Sequence, residues 1–419
     1  MTKRPEHVLF IVENNSVPRD RRVWAEARAV KEMGCEVSVI CPRDNRTEQQ
    51  PRSLEGIRIY AHPQPIEGHG KLGLILEYIN AVFWELLLAV LIYLRHPFHA
   101  IHAANPPDLA FIVAMPFKML GVRFVFDHHD ICPENYLAKF GSRGILYRVL
   151  PVLERANFWL SDVVISTNET YRQIALTRGR KERDEVFVVR NGPELSRIPS
   201  VAPNSSLRAG FKFLVGYVGV IGQQEGLENL LAAVKYLVKD KKRHDIRFII
   251  VGTGPHWKVL VEASKRMEID EFLWFTGYVS DNCLYEILSS IDVAVNPEFR
   301  NDFTDRSTMI KIIEYMTFGK PIVQFYTHEG QISAGSAAVY VNENSPIALA
   351  EALVQLLEDP QKCRVKGKFG RFRIEKKLAW EHQKEELRRA YESLFDNRGS
   401  ASRFPISHRS IASDRLLQR

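Results

Sequence analysis

The chain has 419 residues, of which 45% are hydrophobic and 26% charged. That balance excludes a mostly disordered, collagen-like or many-span membrane protein and leaves room for two or three domains. The net charge of +7 is concentrated in two segments, five Arg against Asp414 in 397–419 and eight Lys or Arg against Glu375 in 361–377, so the remainder is slightly acidic. A solvated helix face and a loose tail account for these runs, with contact to an anionic membrane surface as the alternative. No aromatic-basic interleaving accompanies them, so a nucleic-acid partner is not expected. Five scattered cysteines without a CxxC pair argue against a disulfide framework or a structural zinc site and for a reducing, cytoplasmic compartment.

The start, MTKRPEHVLFIVENN, passes from a short polar stretch straight into a strand-like run, with no signal-peptide pattern. Strands are then predicted at HVLFIVE, EVSVICP, IRIYAHP, AIHAAN, RFVFDHHD, DVVISTN and VFVVRNGP. A second set follows at FLVGYVG, IRFIIVGTG, LWFTGYV, DVAVNP, PIVQF and AAVYV. Most are continuously apolar rather than alternating, which suits burial on both faces of a parallel sheet, and helix-length segments lie between them. The fold class expected is α/β, with two doubly wound parallel-sheet domains. The Pro- and Ser-rich stretch Pro193 to Gly210 breaks the pattern. It divides the chain into a first domain over 1–195, a linker over 196–210 and a second domain over 211–378. The tail 397–419 is Ser/Arg-rich and expected to be disordered.

Residues 72–94, LGLILEYINAVFWELLLAVLIYL, are long and apolar enough to suggest a membrane span. They also contain Glu77, Asn80 and Glu85, and a carboxylate near mid-bilayer costs several kcal/mol. Two readings stay open, a buried helix and a helix lying in the membrane interface.

Open parallel sheets bind ligands at the carboxyl ends of their strands. In the first half this rule gathers Asn15, Arg19, Asp20 and Arg21 after the first strand, Asn105 and Asp108 after the fourth, and His128, His129, Asp130 and Glu134 after the fifth. A His–Asp pair there can exchange a proton near neutral pH. In the second half, GYVGVIGQQEG with Gly219 and Gly222, and VGTGP with Gly252 and Gly254, are strand-to-helix turns. Such turns bring backbone N–H groups near phosphate or serve as plain tight turns. In NPEFRNDFTDRSTMIKIIEYMTFGKPIV, Met309, Ile312, Ile313 and Met316 recur at helical spacing, with Asp305 or Ser307 as the cap and Gly319 as the stop. Lys311 and Glu314 are thereby placed opposite the apolar stripe. They form either an exposed ion pair or a contact to a nucleoside diphosphate, Lys311 on the phosphates and Glu314 on the ribose.

At this helix the sequence resembles GT-B glycosyltransferases of retaining family 4. KIIEYMTFGKPIV is similar to their nucleotide-binding helix. The likeness extends from VPRDRRVWAEARAVKEMGCEVSVICP through HAANPPD, DHHDICPE, VVRNGP, VGTGP and FTGYVSD. It closes on AWEHQKEELRRAYESL, which resembles the terminal helix, here 379–396, that crosses back onto the first domain. The resemblance implies sugar transfer, with retention at the anomeric carbon, from a UDP- or GDP-linked sugar. The acceptor would be lipid-linked or a polysaccharide, the first domain would hold it, and neither cofactor nor metal would be needed. The resemblance further implies that Glu314 binds the ribose, Gly277, Tyr278 and Val279 read the base, and His129, with Asp130, flanks the transferred sugar.

Three features depart from the family pattern. Val220 and Glu225 stand where an Arg and a Lys hold the diphosphate, Arg306 stands where a Glu is usual, and the glycine pair after the first strand is absent. Arg306, Lys311 and the amides around Ser307 and Thr308 are expected to take over the diphosphate. The variants STMIKIIEYM and PRDRRVW resemble a subgroup found among bacterial cell-surface polysaccharide enzymes, and a peripheral place on the cytoplasmic side of the membrane is expected. The alternatives are a GT-B epimerase acting on the nucleotide sugar alone and an inactive GT-B scaffold.

Overall fold

The computed structural model describes residues 5–44, 51–64 and 70–396. The basic tail from Asn397 lies outside the described residues. Two parallel sheets dominate. The first contains β1 (His7–Ile11), β2 (Glu36–Pro42), β3 (Ser53–Leu54), β4 (Ile57–His62), β5 (Ala100–Ala104), β6 (Arg123–His128), β7 (Val163–Ser166) and β8 (Val186–Val188). Its order is β3-β4-β2-β1-β5-β6-β7-β8, parallel except at β3–β4. The second contains β9 (Phe213–Val218), β10 (Ile246–Val251), β11 (Leu273–Gly277), β12 (Val293–Asn296), β13 (Ile322–Phe325) and β14 (Ala338–Val341), in the order β11-β10-β9-β12-β13-β14. Every strand read from the sequence is present. The addition is β3, a two-residue antiparallel edge too short to carry a hydrophobic pattern.

Around the first sheet lie α1 (Arg21–Glu32), α2 (Gly70–Arg95), α3 (Ala110–Lys118), α4 (Cys132–Phe140), α5 (Ile145–Leu160) and α6 (Glu169–Thr177). Around the second lie α7 (Leu227–Lys235), α8 (Trp257–Arg266), α9 (Asp281–Ser290), α10 (Ile310–Thr317), α11 (His328–Ala334), α12 (Pro346–Leu357) and α13 (Pro360–Arg373), and the described chain closes with α14 (Trp380–Asp396). Alternation along β1 shows why both faces need cover. Val8 and Phe10 pack with Ala27 and Val30 of α1 and Leu387 and Tyr391 of α14. Leu9 and Ile11 pack with Ala89 of α2, Val113 of α3, Phe158 of α5 and Ile174 of α6. The last helix therefore returns from the second domain to complete the core of the first. The basic segment 361–377, by contrast, belongs to α13 and its continuation and packs against α10 and α12.

Helix α2 settles one sequence alternative. Only 22% of its apolar window Leu76–Arg95 is buried, so it is not a core helix. Ala81, Ala89, Ile92 and Glu85 face inward, while Ile79, Phe83 and Leu94 stay exposed.

The chain order reverses at β1/β5 in the first sheet and at β9/β12 in the second. The loops beyond these strands are where doubly wound sheets open a crevice.

Candidate active site

One wall of the crevice is the loop after β6. Asp127 is fully buried and accepts from Arg22 Nη2 at 3.0 Å, while His129 Nε2 lies 2.5 Å from Asp127 Oδ2 and 2.5 Å from Arg22 Nε. With its proton on Nε2 the ring donates to Asp127; without it, the ring accepts from Arg22. Burial alone would raise the Asp127 carboxyl, but Arg22 and His129 beside it hold it well below the usual range. The same guanidinium pairs with Glu26 at 2.9 Å and donates to the Val189 carbonyl at 2.8 Å. Glu26, Asp127 and His129 offer three ligand-type atoms within 4.8 Å of one another, yet Arg22 and His102 already engage both carboxylates. This wall is a buried ion-pair network with one imidazole, His129, reaching partial exposure of 16%.

Asn105 sets the backbone of that loop. Its Oδ1 accepts from the His129 amide at 2.6 Å and the Asp130 amide at 3.0 Å, and its Nδ2 donates to Asp108 and to the Asp130 carbonyl, both at 2.8 Å. Expected at the acceptor rim, it is instead a positioning residue, 2% exposed with its amide committed inside. Burial raises the Asp130 carboxyl, although Asn135 donates to it at 2.6 Å.

The opposite wall is α10. Its apolar stripe and its Gly319 stop follow the sequence expectation, but two expectations fail. Neither Asp305 nor Ser307 caps the helix. The N-cap is Met309, which offers no side-chain acceptor, while Asp305 accepts from the His328 amide and Ser307 meets the Tyr171 hydroxyl at 2.9 Å. Nor does Lys311 lie on an open face. Its amine lies over the Tyr217 ring, 5.0 Å from the centroid, and bonds Glu298 and, at 2.7 Å, Glu225. The cause is reach, because a long apolar stem lets the charge turn inward to two carboxylates beyond β9 and β12. Burial would lower the Lys311 pKa, but Glu298 and Glu225 drive it well above the usual range. Glu298 is itself pushed up to about 7 by burial, against the pull of Lys311. Glu314 keeps to the crevice, 3.9 Å from Arg21, and burial raises its carboxyl.

The glycine turns pack on one another. Gly219 N donates to Val251 O, Ile221 N to Thr253 O and Gly252 N to Gly277 O, at 3.0–3.1 Å. Gly252 has φ +133°, and a Cβ there would stand 1.8 Å from the Gly219 carbonyl. These amides are spent between loops, which favours the tight-turn reading for Gly219 and Gly252. Gly222 and Gly254 flank the same contact, a Cβ on Gly254 meeting the Ile221 carbonyl at 2.4 Å. At the end of β11, Tyr278 is exposed and Val279 packs into the core.

The remaining predicted residues divide between the rim and the domain contact. Asp20 caps α1 through the Val23 amide at 2.9 Å, Arg19 pairs with Asp44 at 3.3 Å, and Asn15 accepts from the Ser16 amide at 3.1 Å. Arg21 crosses to Asp281 at 2.5 Å. Arg306 reaches the other domain and pairs with Glu134 at 2.8 Å, while Asn168 donates to the Arg306 carbonyl at 3.0 Å and to Thr308 Oγ1 at 3.1 Å. Arg306, Ser307 and Thr308 thus build the contact between domains. Between the walls a cavity of about 520 Å³ is lined by Arg21, Arg22, Asp281, Ile310 and Glu314, among others. Sequence reasoning missed Arg22, Asp127 and the carboxylates that hold Lys311. The Arg22–Glu26 spacing of four was the one available signal.

Residues 20–192 match the family model of the glycosyl transferase 4-like domain, and residues 212–359 that of glycosyl transferases group 1. The capsular polysaccharide biosynthesis glycosyltransferase CapM of Staphylococcus aureus is 22% identical over 273 residues, 60% of this chain and 67% of that protein. Among solved structures, sucrose-phosphate synthase from Thermosynechococcus elongatus superposes with TM-score 0.75 at 16% identity, covering 94% of this chain and all of the other. Anabaena HepE in complex with UDP-glucose gives 0.70 at 17% identity, covering 93% of this chain and all of the other. The two family models take the two sheets in turn, and with the shared architecture they make this chain a glycosyltransferase of the GT-B fold, a member of family 4.

Proposed function

We propose that the protein transfers a sugar, with retention, from a nucleotide diphosphosugar to a lipid-linked or polysaccharide acceptor in cell-surface glycan assembly. The observation that carries this reading is the shared cavity. Glu314 and the start of α10 line it together with Arg21 and Arg22, and Arg22 touches His129. Glu314 accepts the ribose hydroxyls, and the loop of Gly277, Tyr278 and Val279 meets the base. Arg306 and the start of α10, which has no side-chain cap, take the diphosphate. Lys311 supports that site from below, since Glu225 and Glu298 hold its amine. His129 lies beside the sugar. As the anomeric carbon leaves the diphosphate, the acceptor oxygen bonds on the same face and its proton goes to the departing phosphate. A UDP-linked donor is preferred to a GDP-linked one, supported by the UDP-glucose held in HepE. CapM supports a polysaccharide acceptor. A lipid-linked acceptor places the protein peripherally on the cytoplasmic side of a membrane.

The test is a thermal-shift panel of UDP, GDP, ADP and CMP with Glu314→Ala alongside. A ligand at about 100 times its Kd stabilises by roughly 2.7 kcal/mol, enough to move a melting curve. A shift with UDP that the variant loses is expected. No shift with any nucleotide would favour an inactive scaffold.

A further inference from the structure

We propose that the outer surface of α2, α3 and α5 docks on an anionic lipid bilayer. Helix α3 packs against both α2 and α5, and all three cover the same sheet face, so their outer sides form one surface. That surface is apolar where a water-facing helix layer would be polar. Ile79, Phe83 and Leu94 project from α2, Met119 follows α3, and Val152 and Trp159 project from α5. Phe83 is 58% exposed, Trp159 75% and Met119 84%. Single exposed apolar residues are ordinary, but a contiguous belt across three helices marks an interaction surface.

The charges select the occupant. Arg95, Arg143, Arg148 and Arg155 are exposed on or beside these helices and pair with no carboxylate among the described residues. The carboxylates of the three helices turn inward: Glu85 and Glu154 are buried and Glu77 is half-buried. A second copy of this face would set arginine against arginine across a two-fold axis. A bilayer suits both features, because apolar side chains enter the acyl boundary while guanidinium groups stay at phosphate level. Helix α2 starts beyond the carboxyl end of β4, the edge on which the crevice opens, and runs to the opposite edge. Docking along it brings the crevice rim to the lipid surface. The basic segment of α13 lies on the second domain and takes no part.

The assignment rests on the lipid-linked acceptor for its purpose, but its test uses neither donor nor acceptor, so it fails separately from the transferase reading. The full chain is floated with phosphatidylcholine vesicles with and without phosphatidylglycerol, at low and high salt. Binding is expected only with the anionic lipid and is expected to weaken in salt. Arg148→Glu/Arg155→Glu should reduce it roughly tenfold or more. Ile79→Ser/Phe83→Ser should abolish it, while Lys362→Glu/Lys368→Glu should not change it. Melting curves of the unliganded chains verify that each variant is folded. Absence of binding by the wild type, or binding that survives both α2 and α5 variants, overturns the proposal. A solution dimer dissolved by Ile79→Ser/Phe83→Ser would replace the bilayer with a second copy.

Discussion

Glu13 leaves β1 into a buried setting, 5% exposed, where one carboxyl oxygen has no hydrogen-bond partner among the described residues. Burial, with Glu77 nearby, pushes its carboxyl up to about 8, and Glu298 moves the same way, to about 7. A carboxyl raised on folding binds protons more tightly in the native state. Its contribution to stability is therefore present at low pH and is lost as pH rises from the ordinary carboxylate range toward 8. The melting temperature should fall between pH 5 and pH 8, and Glu13→Gln should flatten that fall and raise the value at pH 8 by a few degrees, at roughly 2–4 °C per kcal/mol. An unchanged pH slope in the variant would show that Glu13 ionises freely. None of this is legible in ENN, because the sequence shows a polar residue after a strand and not the helix α2 that covers it.

At the scale of elements, the glycine turns after β9 and β10 act as one unit. Gly252→Ala must move either its own turn or the Gly219 carbonyl 1.8 Å away. It should cost about 2–4 kcal/mol and weaken nucleotide binding through the displaced turn. Gly210→Ala is the control. It has a positive φ of +91°, but a Cβ there would meet nothing within 4 Å among the described residues, so it should cost only the strain of about 1–2 kcal/mol. Urea melts of both variants compare the two, and equal losses would mean that loop contact adds nothing. Helix α10 shows how far element reading went. Its apolar stripe and its stop were visible in spacing, whereas its cap and the direction of Lys311 depended on Tyr171 and Glu225, remote in sequence, and on Glu298 across a loop.

At the scale of the molecule, the two domains meet where Phe303 packs against the first core and through paired polar side chains: Arg21–Asp281, Arg306–Glu134, Tyr171–Ser307, and Thr170–Glu329 at 2.5 Å. Such contacts can open and close around a ligand without exposing an apolar core. Glu134 also bonds Arg178, so Arg306→Ala leaves it partnered. Stability should stay within about 1 kcal/mol, while turnover falls by about 10²-fold as closure over the donor loosens. Melting curves and initial rates separate the two effects. Full turnover in the variant would remove Arg306 from the working site.

The sequence by itself determined the two parallel sheets, because buried parallel strands must be apolar on both faces and such runs are visible without any partner. It also pointed to the loops beyond the carboxyl ends of those strands, where doubly wound sheets open a crevice. In VPRDRRVW it could not distinguish the roles of four successive charged and polar positions. The tertiary structure decided that Asp20 caps a helix, Arg21 spans the crevice and Arg22 turns inward to Asp127 and His129. In the same way it decided which side of α2 meets the sheet and which stays bare. Charge and hydrophobicity are properties of a residue, but the partner that neutralises a charge or covers an apolar side chain arrives from a distant part of the chain.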